Sequence, residues 1–219
     1  MTARETVVVC FGDSNTHGSA PVPLSPDSVH NRYGPAVRWP GVMAAILGPG
    51  FRVIEEGLPG RTTVHADPIE GAHMNGRLAL PMVLGTHAPI DILVIMLGTN
   101  DLKARFAVTA QDIADSLERL IREARTWTEG RGKPVPKILL VAPTPIMDIP
   151  DGNMFSGGVE KSAGFSVAIR DTAERAGVAF LDAGDHVRTR LLDGVHLDAD
   201  QHAALGRAMA DAVRRLAAA

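Results

Sequence analysis

A serine, a glycine, an asparagine and an aspartate–histidine pair stand at positions in this chain where each could contribute to one reaction. Ser14 follows Gly12-Asp13 directly after an apolar run over residues 7–11. A serine hydroxyl becomes a useful nucleophile when a base takes its proton. His196 is the candidate base. Asp193, three residues earlier, can accept from its Nδ1–H, fixing the tautomer and leaving Nε2 for the serine. Attack on a carbonyl builds negative charge on oxygen, which needs N–H donors. The backbone N–H of Ser14, the backbone N–H of Gly57 and the side-chain amide of Asn100 are the candidates. Each residue also has a plainer reading. Gly-Asp-Ser and Gly98-Thr99-Asn100-Asp101 are good turn sequences, Gly57 and Gly60 suit positive φ, and a histidine near a helix start is commonly satisfied by a carboxylate.

The elements that would position these residues argue for the shared reading. Residues 7–11 are apolar and rich in β-branched types, as in a strand buried on both faces. Further short strands are expected at 51–54, 91–97, 137–142 and 178–181. Helices are expected at 39–47, 77–86, from a capping box at Thr109–Asp112 onward, over 159–176, and after Asp198 as N-cap. Pro81 argues against an unbroken helix over 77–86, and Gly177 suits a C-terminal cap. Five alternations of strand and helix imply an α/β fold: a three-layer α/β/α, flavodoxin-like, five-stranded parallel sheet in one domain over 1–219. Right-handed crossovers put all the strand ends on one side, so Ser14, Gly57, Asn100, Asp193 and His196 can meet around one crevice. Long proline-rich and polar loops at 18–37 and 146–157 leave the same edge.

Composition excludes several classes. With 219 residues and 45% apolar content the chain can bury a substantial core. Net charge is −3 with no basic stripe, which argues against nucleic acid as a partner. No apolar run approaches a membrane span, and the opening residues carry no signal pattern, so a cytoplasmic protein is expected. The single cysteine, Cys10, lies inside the first strand and reads as a small buried apolar group. Asp185-His186 and Asp198 with His202 add acid–imidazole pairs, but their spacing matches no standard zinc pattern, so no metal and no organic cofactor are expected. His17, close to Ser14, is the rival base.

The chain resembles the SGNH-hydrolase, or GDSL esterase/lipase, family. Gly12-Asp13-Ser14 resembles its first block, Gly57 its second, Gly98-Thr99-Asn100-Asp101 its third and Asp193-Gly194-Val195-His196 its fifth. The stretches 54–63, 95–101 and 155–161 resemble the bacterial arylesterase/acyltransferase branch more closely. This resemblance implies a serine esterase that hydrolyses short-chain or aryl esters through an acyl-enzyme, with acyl transfer to alcohols or peroxide in some members, and a homo-oligomer. It also implies Ser14, Asp193 and His196 as catalytic residues and Ser14, Gly57 and Asn100 as the oxyanion hole. One departure is clear: the acyl-transferring enzymes read Leu-Thr-Trp after the serine, where this chain has Asn15-Thr16-His17. Candidate substrate contacts are His17, Met147, Phe155 and Val195, and His17 would suit a polar substrate such as an acetylated sugar. The alternative is therefore a carbohydrate O-acetyl esterase on the same machinery. A flavodoxin-like binding module and a metal-dependent hydrolase built on the Asp/His-rich tail are the readings from other classes.

Overall fold

In the computed structural model, which describes residues 4–22, 31–147, 154–190 and 193–219, a five-stranded parallel sheet forms the middle layer. The strands are β1 (Thr6–Gly12), β2 (Phe51–Gly57), β3 (Ile92–Met96), β4 (Lys137–Ala142) and β5 (Ala179–Asp182). Their order is β2-β1-β3-β4-β5, the flavodoxin-like order in which the chain reverses direction between β1 and β3. Gly12, the last residue of β1, lies in register with Gly57 of β2 and Met96 of β3, so the turns after these three strands leave the sheet side by side.

Alternation along the strands explains why the runs are apolar throughout. Val9 and Phe11 of β1, Leu93 and Ile95 of β3, and Ile138 and Leu140 of β4 face one side. There they pack on α3 (Gly76–His87), α4 (Ala110–Glu129) and α6 (Phe165–Ala176). The intervening Val8, Cys10, Ile92, Val94, Leu139 and Val141 face the other side, against α2 (Trp39–Leu47) and α7 (Ala199–Ala218). Each fully buried side chain of this size contributes roughly 1.5–3 kcal/mol, so the two apolar layers dominate the stability of the sheet. Cys10 is buried, and burial together with the charge of Glu55 pushes its thiol well up.

Several elements differ from the sequence expectation. β2 continues through Glu55 and Glu56 to Gly57, because at the sheet edge these carboxylates find partners: Arg38 and Arg32 for Glu55, and His87 Nε2 at 2.6 Å for Glu56. α3 runs unbroken across Pro81. Proline removes one backbone bond there, while the core contacts of Leu80, Val83 and Leu84 hold the helix in place. The helix expected over 159–176 is two helices, α5 (Gly158–Ala163) and α6, separated at Gly164. Buried Ser162 accepts from Ile146 N–H at 3.1 Å and donates to Val159 O at 2.9 Å, tying α5 to the loop after β4 while α6 packs along α4. Asp198 is the N-cap of α7 by position, but its side chain makes no capping bond and faces Arg190 instead. The capping box at Thr109 and Asp112 forms, and Gly177 ends α6 in the left-handed conformation.

Candidate active site

The turn after β1 opens α1 (Ser14–His17), a single helical turn. Asp13 is its N-cap and accepts from Asn15 N–H at 3.0 Å. Burial pushes the Asp13 carboxyl up to about 6, against the opposing effects of that hydrogen bond and of the nearby His196 and Arg61 charges. Ser14 is 6% exposed at the start of α1. Its N–H, as the first of the helix, has no intrahelical partner.

The loop between β5 and α7 carries the histidine. His196 Nδ1 lies 2.6 Å from Asp193 Oδ2, and Asp193 Oδ1 accepts from the backbone N–H groups of Val195 and His196 at 2.9 and 2.8 Å. Burial raises the Asp193 carboxyl, but these hydrogen bonds outweigh it and hold the group below the usual carboxylate range. The pair is thus an ionised carboxylate bonded to an imidazole whose Nδ1 is committed to it, which leaves Nε2 as the reactive nitrogen.

Asn15 joins the two turns. Its Nδ2 donates to Val195 O at 3.1 Å and its Oδ1 accepts from Leu197 N–H at 3.0 Å, on either side of His196. The residue beside Ser14 is therefore bonded to both neighbours of the histidine. No direct hydrogen bond joins the Ser14 and His196 side chains here, and catalytic hydrogen bonds of this kind commonly form only around substrate. A leucine in place of Asn15, as in the acyl-transferring enzymes the chain resembles, could make neither bond. In the sequence Asn15 stands out only as a departure from the Leu-Thr-Trp of the acyl-transferring enzymes.

Asn100 sits in the turn Thr99–Leu102 after β3, 5% exposed, with Nδ2 donating to Arg61 O at 3.1 Å. One amide hydrogen is used in this bond and one remains. Gly57 stands at the end of β2, where a Cβ would lie 2.2 Å from His17 N. Its need for glycine is close backbone approach, not positive φ. Leu58 N–H donates to Gly12 O, and bonding alternates along a parallel ladder, so the N–H of Gly57 points away from the strand that leads to Ser14. Gly60 does have positive φ, +85°, and it precedes Arg61, whose carbonyl holds Asn100.

Two further groups shape this edge and were not anticipated. Arg61 is buried, donates through Nη1 to Gly12 O at 2.9 Å and also to Glu56 O, and stacks over the Phe11 ring at 4.3 Å. Burial lowers its guanidinium to about 10. Asp101, fully buried, accepts from Thr63 N–H and Thr63 Oγ1 and contacts His65 Nδ1 at 2.7 Å, tying the turn after β3 to the stretch after β2. Both lie inside motifs quoted from the sequence, but neither type nor spacing says that an arginine or an aspartate there is buried.

The remaining candidates fall as follows. His17 is half-buried beside Gly57, and burial and the Arg32 charge hold its imidazole below the ordinary value. Val195 is 6% exposed within the apolar layer against which Phe155 packs, so the two are neighbours of one cluster. Met147 is partly exposed, and its N–H donates to Gly194 O at 2.8 Å, steadying the Asp193 loop from the far side. Residues 148–153 of the loop lie outside the described residues, as do 23–30 of the proline-rich stretch. Of the rival acid–imidazole pairs, His202 is a core residue. Its Nδ1 accepts from Trp39 N–H at 3.3 Å, its ring meets Tyr33 edge-on, and burial lowers it to about 4. His186 lines an open polar groove of about 450 Å³ with Asp185, Arg188, Arg190 and Gln201. Among the described residues no three His, Cys, Asp or Glu side chains converge as metal ligands would. Nor is any described helix long and apolar enough to cross a membrane.

Comparison with known proteins is consistent with this arrangement. An M. smegmatis aryl esterase is 40% identical, with a TM-score of 0.90 over 96% of this chain and 99% of its own. A carbohydrate acetylesterase from Sinorhizobium meliloti, Est24, is 43% identical, with a TM-score of 0.90 over 97% of this chain and 100% of its own. A second S. meliloti structure, of a carbohydrate acetylesterase family member, is 38% identical, with a TM-score of 0.87 over 98% and 100%. A search of curated proteins gives no match. The profile of the GDSL-like Lipase/Acylhydrolase family matches residues 10–204, nearly the whole length. The chain belongs to the GDSL-like lipase/acylhydrolase family and is a carboxylic ester hydrolase.

Proposed function

We propose that Ser14, His196 and Asp193 form the catalytic triad of a serine esterase acting on short-chain or aryl carboxylic esters. The carrying observation is the 2.6 Å Asp193–His196 bond, on a loop fastened to the helical turn that Ser14 begins. Ser14 Oγ attacks the ester carbonyl while His196 Nε2 takes its proton. Collapse of the tetrahedral intermediate expels the alcohol, which receives that proton, and leaves the acyl group on Ser14. Water then attacks, again losing a proton to His196, and the acid departs as Ser14 regains its hydrogen. Neither metal nor organic cofactor enters these steps.

For the oxyanion, the donors are Ser14 N–H, the free hydrogen of Asn100 Nδ2 and one backbone N–H from the stretch after β2. We assign the last to Gly60 in place of Gly57. The ladder geometry turns Gly57 N–H away from β1, whereas Gly60 neighbours the carbonyl that anchors Asn100. Substrate contacts are proposed at His17, Met147 and Phe155, with Val195 backing the pocket from the core. The second reading, a carbohydrate O-acetyl esterase, is supported by the 43% identity to such an enzyme and by the polar Asn15-Thr16-His17 turn. We also propose one domain over the whole chain, a cytoplasmic location and a homo-oligomer. Exposed Leu78 and Met82, one turn apart on α3, suit a subunit contact, which light scattering on the purified protein would test.

The test is turnover of p-nitrophenyl acetate, butyrate and octanoate by wild type and Ser14→Ala with chelator present. Activity that falls with chain length and is lost in the variant is expected; equal activity in both proteins would remove Ser14 as nucleophile. A panel of acetylated sugars, run beside p-nitrophenyl acetate, decides between the two substrate readings.

A further inference from the structure

We propose that Asn15 is a positioning residue for the catalytic base: its side-chain amide clamps the His196 loop to the turn that carries the nucleophile. The inference rests on the triad reading above. Asn15 is 6% exposed, and both ends of its amide are used, Nδ2 on Val195 O and Oδ1 on Leu197 N–H. The two bonded groups belong to the residues immediately before and after His196, so the imidazole's backbone is held on both sides by one planar group. Asn15 is itself held, because its N–H donates to Asp13 Oδ1 and it lies within α1. The partners are 180 and 182 residues away in sequence.

Three supports converge on the loop. Asp193 fixes the ring and the N–H groups of Val195 and His196 from within the loop, and Met147 N–H holds Gly194 O. Among the described hydrogen bonds, those of Asn15 tie the loop to the helical turn that Ser14 begins. The separation between Ser14 Oγ and His196 Nε2 thus depends on them. Nucleophilic attack is steeply sensitive to such a separation, because a displacement of about 1 Å costs up to about a hundredfold in rate. The amide is also neutral, so it positions the base without adding charge to a site where Asp193 and Asp13 already face His196.

The experiment measures kcat, KM and the pH profile for p-nitrophenyl acetate with wild type, Asn15→Leu, Asn15→Asp, Ser14→Ala and His196→Ala. Asn15→Leu keeps the branched four-heavy-atom side-chain skeleton and removes both bonds. It is expected to lower kcat roughly 10- to 100-fold with KM changed less than about threefold. Asn15→Asp keeps the acceptor for Leu197 N–H, loses the donor and adds a negative charge beside His196. It is expected to lower kcat and to move the acid limb of the kcat profile to higher pH. Wild-type kcat in folded Asn15→Leu overturns the inference. If that variant does not fold, Asn15→Asp decides alone, and an acid limb at the wild-type position overturns it. Activity retained in Ser14→Ala or His196→Ala would instead defeat the triad reading. Two dead triad variants beside a fully active Asn15→Leu would defeat only the role of Asn15.

Discussion

In the oxyanion role proposed for it, Asn100 can be tested with little else changed, since its side chain makes one bond to Arg61 O and has a second amide hydrogen for the oxyanion. Asn100→Ala is expected to lower kcat by about two to three powers of ten, the usual effect of losing one oxyanion donor, and steady-state turnover of an aryl acetate measures it. Gly57 makes the opposite kind of contribution, through what it lacks. A methyl group there would lie 2.2 Å from His17 N, and the obstructing atom is backbone. Gly57→Ala is expected to cost about 1–3 kcal/mol in a denaturant titration and to reduce turnover as α1 is displaced. Both residues stand out as candidates from their types and their places after strands. The assignment of the backbone donor to Gly60, with Gly57 making room for α1, is a proposal that the residue types could not suggest, because both appear as Gly in a turn and only the ladder bonding separates them.

The turns after β1, β2 and β3 work as one unit because polar side chains cross between them. Arg61 reaches back to Gly12 O, and Asp101 reaches across to Thr63 and His65. Asp101→Ala leaves a buried Thr63 N–H without its acceptor and removes the partner of His65. It is expected to cost about 3 kcal/mol of stability, read as a lowered denaturant midpoint, and to reduce kcat because Asn100 is its neighbour. At this scale the strands were the most legible part, since apolar runs of this length bounded by Gly and Pro have few other readings. Helix boundaries were less so. Pro81 stays in α3 because the core holds both sides of it, and the chain breaks at Gly164 because Ser162 is claimed by Ile146 and Val159. Both outcomes depend on what lies across the interface.

For the whole molecule, buried titratable groups outside the chemistry give stability a pH dependence. His202 is held at about 4 rather than 6.5, because it is buried and the charges of His196 and Arg38 disfavour its cation. As pH falls from about 6.5 to about 4 the unfolded chain takes up this proton and the folded one does not, so stability falls on acidification; above 6.5 the group contributes no slope. The difference corresponds to about 3 kcal/mol. Asp13, raised to about 6 from 3.8, acts with the opposite sign, since its buried ionised form costs stability as pH rises through that window. His202→Asn keeps an acceptor for Trp39 N–H and removes the proton. Its melting temperature, followed from pH 7 to pH 4, is expected to fall less than that of wild type. A parallel fall in both proteins would assign the acid limb to other groups.

The sequence by itself determined the fold class, the alternation of strands and helices, and the residue types that follow the strands. These follow from short-range pattern: apolar runs of strand length, turn residues that stop them, and a Ser, Asn, Asp and His placed after strands whose ends must share one side. The tertiary structure alone decided how those residues are held. Asn15 bonds to residues 180 and 182 positions away, Arg61 is buried over Phe11, and Asp101 is shared between two turns. A side chain's hydrogen-bond partner across the sheet edge depends on how crossovers bring distant turns to within about 3 Å, a distance that no local periodicity encodes.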